Sequence, residues 1–424
     1  MSDHINIIDR DGLQAFWQST PYFKTARISM RFALPLTSSR DAAGCEMVSN
    51  LLIRVTRSCP DYTVFGRRLQ ELYGASVSSG LRRNGDNQIL TFVTGSIANR
   101  YTFDGEDIQR AIADMLEEIV FEPLLAEDGL FPEDGFEQER RQLLETIDAE
   151  FNEKRSYALK RCRGIMLEGD PSGIPLYGSR EDVVNVTRED AKKAWENAIK
   201  HGQAFQFTIG DGADGRFAES FAERLGRRDV YEFSTKPHVT SGEVKRITEE
   251  MPLAQSKLVL GFSVSAGKED FLATKLMSVV LGGTPSSKLF LNVREKQSLC
   301  YYCMARLEAQ KGIMLIDCGV ETSNLERAEE AILAELSAMQ RGEITDEEIN
   351  NARLAMFSAY ISVTDSASGI ENWYLSGMID NEIVTPEERI EQLRRITRDD
   401  IVAAAKKVRL DTVYRLKGVS AGEQ

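Results

Sequence analysis

Ser286-Ser287-Lys288-Leu289-Phe290-Leu291-Asn292-Val293-Arg294-Glu295-Lys296-Gln297-Ser298-Leu299-Cys300-Tyr301-Tyr302 follows a helix-like apolar run that ends at Leu281-Gly282-Gly283. The stretch reads as a helix carrying Arg294, a short break, and a strand opening with Leu299 and Tyr301. An arginine and a tyrosine on adjoining elements can converge on one point. Such a point suits a substrate carbonyl, which tyrosine polarises by hydrogen bonding and arginine holds by charge. The plainer reading pairs Arg294 with an acidic surface residue and makes Tyr301 part of sheet packing.

Around this stretch the second half has a clear order of elements. Lys257–Val264 is strand-like, Asp270–Leu281 helical, Ile313–Val320 strand-like and Leu325–Gln340 helical. Thr345-Asp346-Glu347-Glu348 matches a capping box and opens a helix to about Thr364. Pro386–Val408 supplies one more helix and Thr412–Leu416 a last strand. The first half runs in similar order. It has strands near Ile5–Ile8 and Ala26–Leu34, and helices over Ala42–Arg57 and Tyr62–Tyr73, with Gly74 as a stop. Ala75–Leu81 and Gln88–Gly95 pair around the turn Asn84-Gly85-Asp86-Asn87. Gly105–Val120 has helical spacing, Asp134–Leu167 reads as one long charged helix, Thr187 caps another, and Ala204–Gly210 closes the half as a strand. The expectation is an α+β fold of two homologous domains, each a mostly antiparallel sheet with helices packed on it. The first domain takes residues 1–228, a polar linker 229–248, and the second domain 249–424.

Composition agrees with two packed domains. At 42% hydrophobic and 28% charged residues, 424 residues supply large cores, which excludes disorder. The net charge of -14 argues against nucleic acid as the main partner, and Arg82-Arg83 is too short a basic run to reverse that. No apolar run approaches the roughly 18 residues that span a bilayer. Met1-Ser2-Asp3-His4-Ile5-Asn6 lacks a basic segment leading into an apolar one. Six scattered cysteines read as reduced thiols, and Cys300-Tyr301-Tyr302-Cys303 would set its two thiols on opposite faces of a strand. A cytoplasmic protein without a membrane span is expected.

Three segments carry a resemblance to the pitrilysin/insulinase metallopeptidases: the Ser286–Tyr302 stretch, Arg68-Leu69-Gln70-Glu71-Leu72-Tyr73-Gly74-Ala75, and Glu139-Arg140-Arg141-Gln142-Leu143-Leu144-Glu145-Thr146-Ile147. Active members hold zinc through H-x-x-E-H, because residues at i and i+4 share a helix face. Here the corresponding helix begins Gly44-Cys45-Glu46-Met47-Val48-Ser49-Asn50-Leu51. Aligned from the glycine, Met47 and Leu51 replace the histidines and Asn50 the glutamate. The third-ligand position falls on Thr146, or beside it on Glu145 if the alignment slips, and Glu139 is retained one turn earlier. The chain's three histidines, His4, His201 and His238, form no H-x-x-x-H pair, so no such metal site is expected in this chain. Met47 and Leu51 read as packed core.

The resemblance implies a clam-shell chamber formed by the two domains, with Arg294 and Tyr301 on the substrate-binding, oxyanion side. It implies a zinc-less member whose zinc-bearing paralogue supplies the metal and whose ligand is a peptide. A non-enzymatic assembly scaffold on the same fold is the alternative.

Overall fold

The computed structural model describes residues 6–265 and 267–419; His4 and Ile5 lie outside the described residues. The first half contains β1 (Asn6–Arg10), β2 (Leu13–Ser19), β3 (Thr25–Pro35), α1 (Ser39–Leu52), α2 (Tyr62–Glu71), β4 (Ser76–Asn84) and β5 (Asn87–Ile97). It continues with α3 (Ile108–Phe121), α4 (Glu133–Glu150), α5 (Lys154–Met166), α6 (Arg180–Asn185), α7 (Arg188–His201), β6 (Gln203–Gly210) and α8 (Arg216–Leu225). The second half contains β7 (Lys245–Pro252), β8 (Ser256–Val264), α9 (Phe271–Gly282), a π-helix over Leu289–Lys296, β9 (Cys300–Glu308) and β10 (Ile313–Val320). Then come α10 (Leu325–Gln340), α11 (Asp346–Ile361), α12 (Ala367–Asp380), α13 (Pro386–Arg394), α14 (Arg398–Ala405) and β11 (Val408–Val419).

In one compact unit, six strands lie in the order β1-β2-β6-β3-β5-β4. Neighbours are antiparallel except β2 and β6. Strand alternation divides β3 between two layers. Ile28, Met30, Phe32 and Leu34 enter a core with residues of α1, α3 and α7. Arg27, Ser29 and Arg31 face the other way and bind Glu371 on α12. Ile370, Tyr374 and Met378 of α12 pack on Phe16, Phe205 and Phe207. The sheet is therefore covered on both faces.

The other unit has five strands in the order β7-β11-β8-β10-β9, antiparallel except β7 and β11. Helices α9, α10 and α14 belong to it. Ala158, Cys162 and Met166 of α5 pack against Val259, Leu315 and Tyr414 of its sheet. Both sheets are thus mostly antiparallel with helices packed on them, as the α+β reading required.

The compact units do not coincide with contiguous halves. The first takes the chain up to Ile147, then Ile174–Ser234 and Ser362–Val384. The second takes Asp148–Gly173, Thr235–Ile361 and the chain from Thr385 onward. Helix α5 of the first half is thereby a layer of the second sheet, and α12 of the second half a layer of the first. The single helix expected over Asp134–Leu167 is two helices. It breaks at Phe151-Asn152-Glu153, where the Glu153 side chain accepts the Arg155 N–H and starts α5 afresh. The expected helix over Pro386–Val408 likewise divides, because Thr397 and Asp400 form a capping box that opens α14. Strand β7 begins at Lys245, inside the stretch read as linker 229–248. Capping boxes do form at Thr187 and Thr345.

Candidate functional site

The Ser286–Tyr302 corner is fastened from below. Leu289 and Val293 are fully buried. Lys288 Nζ pairs with Glu348 on α11 at 2.9 Å, and Asn292 Nδ2 donates to Glu335 on α10 at 2.8 Å. Gly282 lets α9 end against β9, since a Cβ there would lie 2.7 Å from the Ala305 nitrogen. The turns after it are wide: Gln297 N–H donates to Asn292 C=O at 3.3 Å, five residues back, which is the π pattern. Ser298 then takes a left-handed φ of 51° and turns the chain into β9.

A β-bulge follows at once. Tyr302 pairs with Gly319 and Cys300 with Val320, so Tyr301 is the extra residue without a cross-strand partner. The bulge throws its side chain outward, leaving it 59% exposed. Arg294 Nε donates to the Tyr301 carbonyl at 2.9 Å, its Nη1 pairs with Glu295 at 2.9 Å, and its guanidinium lies over the Phe290 ring at 4.4 Å. Its other N–H donors remain for a ligand oxygen. The Tyr301 hydroxyl donates to Glu321 Oε1 at 3.2 Å. Arg294, Glu295, Ser298, Tyr301, Glu321 and Asn324 line a cavity of about 400 Å³. The structure therefore brings Arg294 and Tyr301 together at one open, polar hollow.

The bulge also corrects the reading of Cys300 and Cys303. It adds a residue between them, so alternation is lost and both thiols are buried. The Cys303 thiol and burial together push the Cys300 thiol well above its ordinary pKa. Tyr302 is held on the sheet by Arg155, whose guanidinium lies 4.2 Å from the ring centroid.

Helix α1 is a different environment. Met47 is fully buried and Leu51 5% exposed, both in the main core. Asn50 donates to Glu46 Oε1 at 3.4 Å. Burial pushes the Glu46 carboxyl above the usual range, against the opposing pull of Asn50, and Glu46 Oε2 has no hydrogen-bond partner among the described residues. Burial pushes the Cys45 thiol up to about 12, the largest cause, and it accepts a hydrogen bond from Gln88 Nε2. Thr146 on α4 is exposed, and its hydroxyl donates back to Gln142 C=O at 2.9 Å. Glu139 pairs with Arg54 at 2.8 Å, so its charge is met by a side-chain cation.

These residues do not fit zinc. A packed thioether, a packed aliphatic chain, an amide and an outward hydroxyl are not a zinc donor set. Glu139, the one carboxylate kept, is already neutralised. His201 bonds the Asp229 carbonyl at 2.8 Å and His238 bonds Asp411 at 3.1 Å. Among the described residues, no group of three or more His, Cys, Asp or Glu is arranged to hold a metal ion. No helix among them is long and apolar enough to cross a membrane.

Residues 208–356 match the Peptidase M16 inactive domain, M16 being the pitrilysin/insulinase family. The probable inactive metalloprotease YmfF of Bacillus subtilis (strain 168) is 28% identical over 412 residues, covering 96% of each chain. The crystal structure of a conserved protein from Enterococcus faecalis V583 superposes with a TM-score of 0.88 at 25% identity, over 97% of this chain and 98% of that one. The peptidase M16 inactive domain from Pseudomonas fluorescens shares the fold, with a TM-score of 0.80 at 16% identity over 99% and 100%. Across nearly its whole length the chain is thus similar to an inactive metalloprotease, and over residues 208–356 to the inactive domain of the M16 peptidases.

Proposed function

We propose that this chain is the metal-free subunit of a two-chain M16 peptidase, with Arg294 and Tyr301 completing the active site of a zinc-bearing paralogue. The carrying observation is the contrast in accessibility. Arg294 and Tyr301 stand together at an open polar cavity, while the former metal positions Met47 and Leu51 are sealed in a core. The peptide's scissile carbonyl would lie against the Arg294 guanidinium and the Tyr301 hydroxyl. Both groups stabilise negative charge that develops on that oxygen. The partner supplies the metal-activated water. Six buried cysteines without a disulfide agree with a cytoplasmic site of action.

The test is reconstitution with an H-x-x-E-H-bearing paralogue from the same genome and a quenched fluorescent peptide. The mixture should hydrolyse the peptide, each chain alone should not, and Arg294→Ala or Tyr301→Phe should abolish the gain. A mixture whose rate ignores both substitutions would overturn the assignment. A complex that forms but cleaves nothing with any peptide would favour the assembly-scaffold role.

A further inference from the structure

We propose, resting on the reading above, that Glu321 is the positioning residue for Tyr301. The bulge leaves Tyr301 without a cross-strand partner, and its ring is more than half exposed. Arg294 holds the residue only by its main-chain oxygen. That contact fixes the backbone of the bulge and leaves the side-chain torsions free. The contact that aims the ring is the hydroxyl bond to Glu321 Oε1. Glu321 immediately follows Val320, which pairs across the bulge with Cys300. The carboxylate therefore lines the same cavity.

The bond is suited to aiming the phenol rather than to holding its proton. At 3.2 Å it is well beyond the roughly 2.7–2.8 Å typical of O–H···O bonds. A tyrosine has a single proton to donate. A short, strong bond to a carboxylate would trap that proton and disable the phenol. A long one orients the ring over the cavity and yields to a ligand oxygen that develops charge. Glu321 thus acts through Tyr301 and need not touch the substrate.

The experiment has two arms. In the first, the isolated chain is labelled with 3-fluorotyrosine, and the Tyr301 signal is identified by its loss in Tyr301→Phe. Glu321→Ala should move that signal to the position of a free, solvent-averaged tyrosine, whereas Glu321→Gln, which keeps an acceptor oxygen, should leave it near wild type. In the second, the reconstituted pair carrying Glu321→Ala should lose roughly 10- to 100-fold in kcat, as a misplaced catalytic group does, with KM changed less than about 2-fold. Glu321→Gln should recover most of the rate, and Glu321→Asp, one methylene short, should not. An unmoved fluorine signal in Glu321→Ala, or full kcat in that variant while Tyr301→Phe is inactive, overturns the positioning role alone. Full kcat in Tyr301→Phe overturns the underlying Arg–Tyr reading instead.

Discussion

Helix α1 with its surroundings and the Arg294–Tyr301 corner treat polar groups in opposite ways. Beside α1, charge is closed off inside the protein: Glu139 is paired with Arg54, and Glu371, beneath the same sheet, with Arg27 and Arg31. Met47 and Leu51 are packed in the core. At the corner, the Arg294 guanidinium holds the Tyr301 carbonyl, and both residues line an open cavity. Helix α1 thus shows ordinary core packing, whereas the corner holds a geometry that core packing does not require. The corner holds a π-helix, a left-handed serine and a bulge in succession, each less favourable than regular structure.

The contrast is open to direct tests. The largest effect is expected at Glu371, whose side chain is fully buried. Glu371→Ala leaves Arg31 buried without its partner and should lower stability by about 3–5 kcal/mol in urea denaturation. A loss under about 1 kcal/mol would show that the network is not closed. The same group gives a pH dependence. Burial alone would push the Glu371 carboxyl up, but Arg31 and Arg27 outweigh it and hold it below the usual carboxylate range. Its contribution is then complete above the unfolded carboxylate pKa and is lost as pH falls through the lower folded value. The urea midpoint should therefore fall on acidification in that window, and less steeply in Glu371→Gln.

Met47→Ala comes next. Removing a fully buried side chain should cost about 2–5 kcal/mol and leave the reconstituted pair's kcat unchanged per folded molecule. A selective loss of kcat would give α1 a role beyond packing. At the corner the pattern reverses. Arg294→Ala should change stability by less than about 1 kcal/mol, as exposed ion pairs do, and cut the pair's kcat by roughly 10²–10³-fold, as loss of an oxyanion contact does. The smallest effect is expected at Glu46, whose carboxyl is raised by burial and has one unpartnered oxygen. Glu46→Gln should stabilise the chain by at most about 1 kcal/mol at neutral pH, and the difference should vanish as pH drops and the native carboxyl protonates.

Local signals were legible. Thr187 and Thr345 announce their helices because a cap is a contact between residues three apart. The Asn84–Asn87 turn joins β4 to β5 because hairpin turns are chosen by their own residues. Strand β2, strand β7, helix α8 and helix α12 carry weaker local signals. β7 is an edge strand whose polar and charged run Lys-Arg-Ile-Thr-Glu-Glu-Met-Pro becomes a strand only by pairing with β11. α12 shows no strong one-sided pattern, since Glu371 is buried among its apolar neighbours and satisfied by arginines over 300 residues away in sequence. Glu321 gave no motif, because its meaning lies in a cross-strand bond to Tyr301.

What the sequence determined by itself was chemical identity. Met47, Asn50, Leu51 and Thr146 cannot together grip zinc in any fold, and Arg294 and Tyr301 stand seven residues apart in a helix-to-strand passage. The tertiary structure decided the rest: which layer each helix covers, that the corner is a π-turn and a bulge, that Cys300 and Cys303 share the buried side, and that Glu321 meets Tyr301. Each of these depends on register between distant strands, and one extra residue on one strand changes which side chains face water.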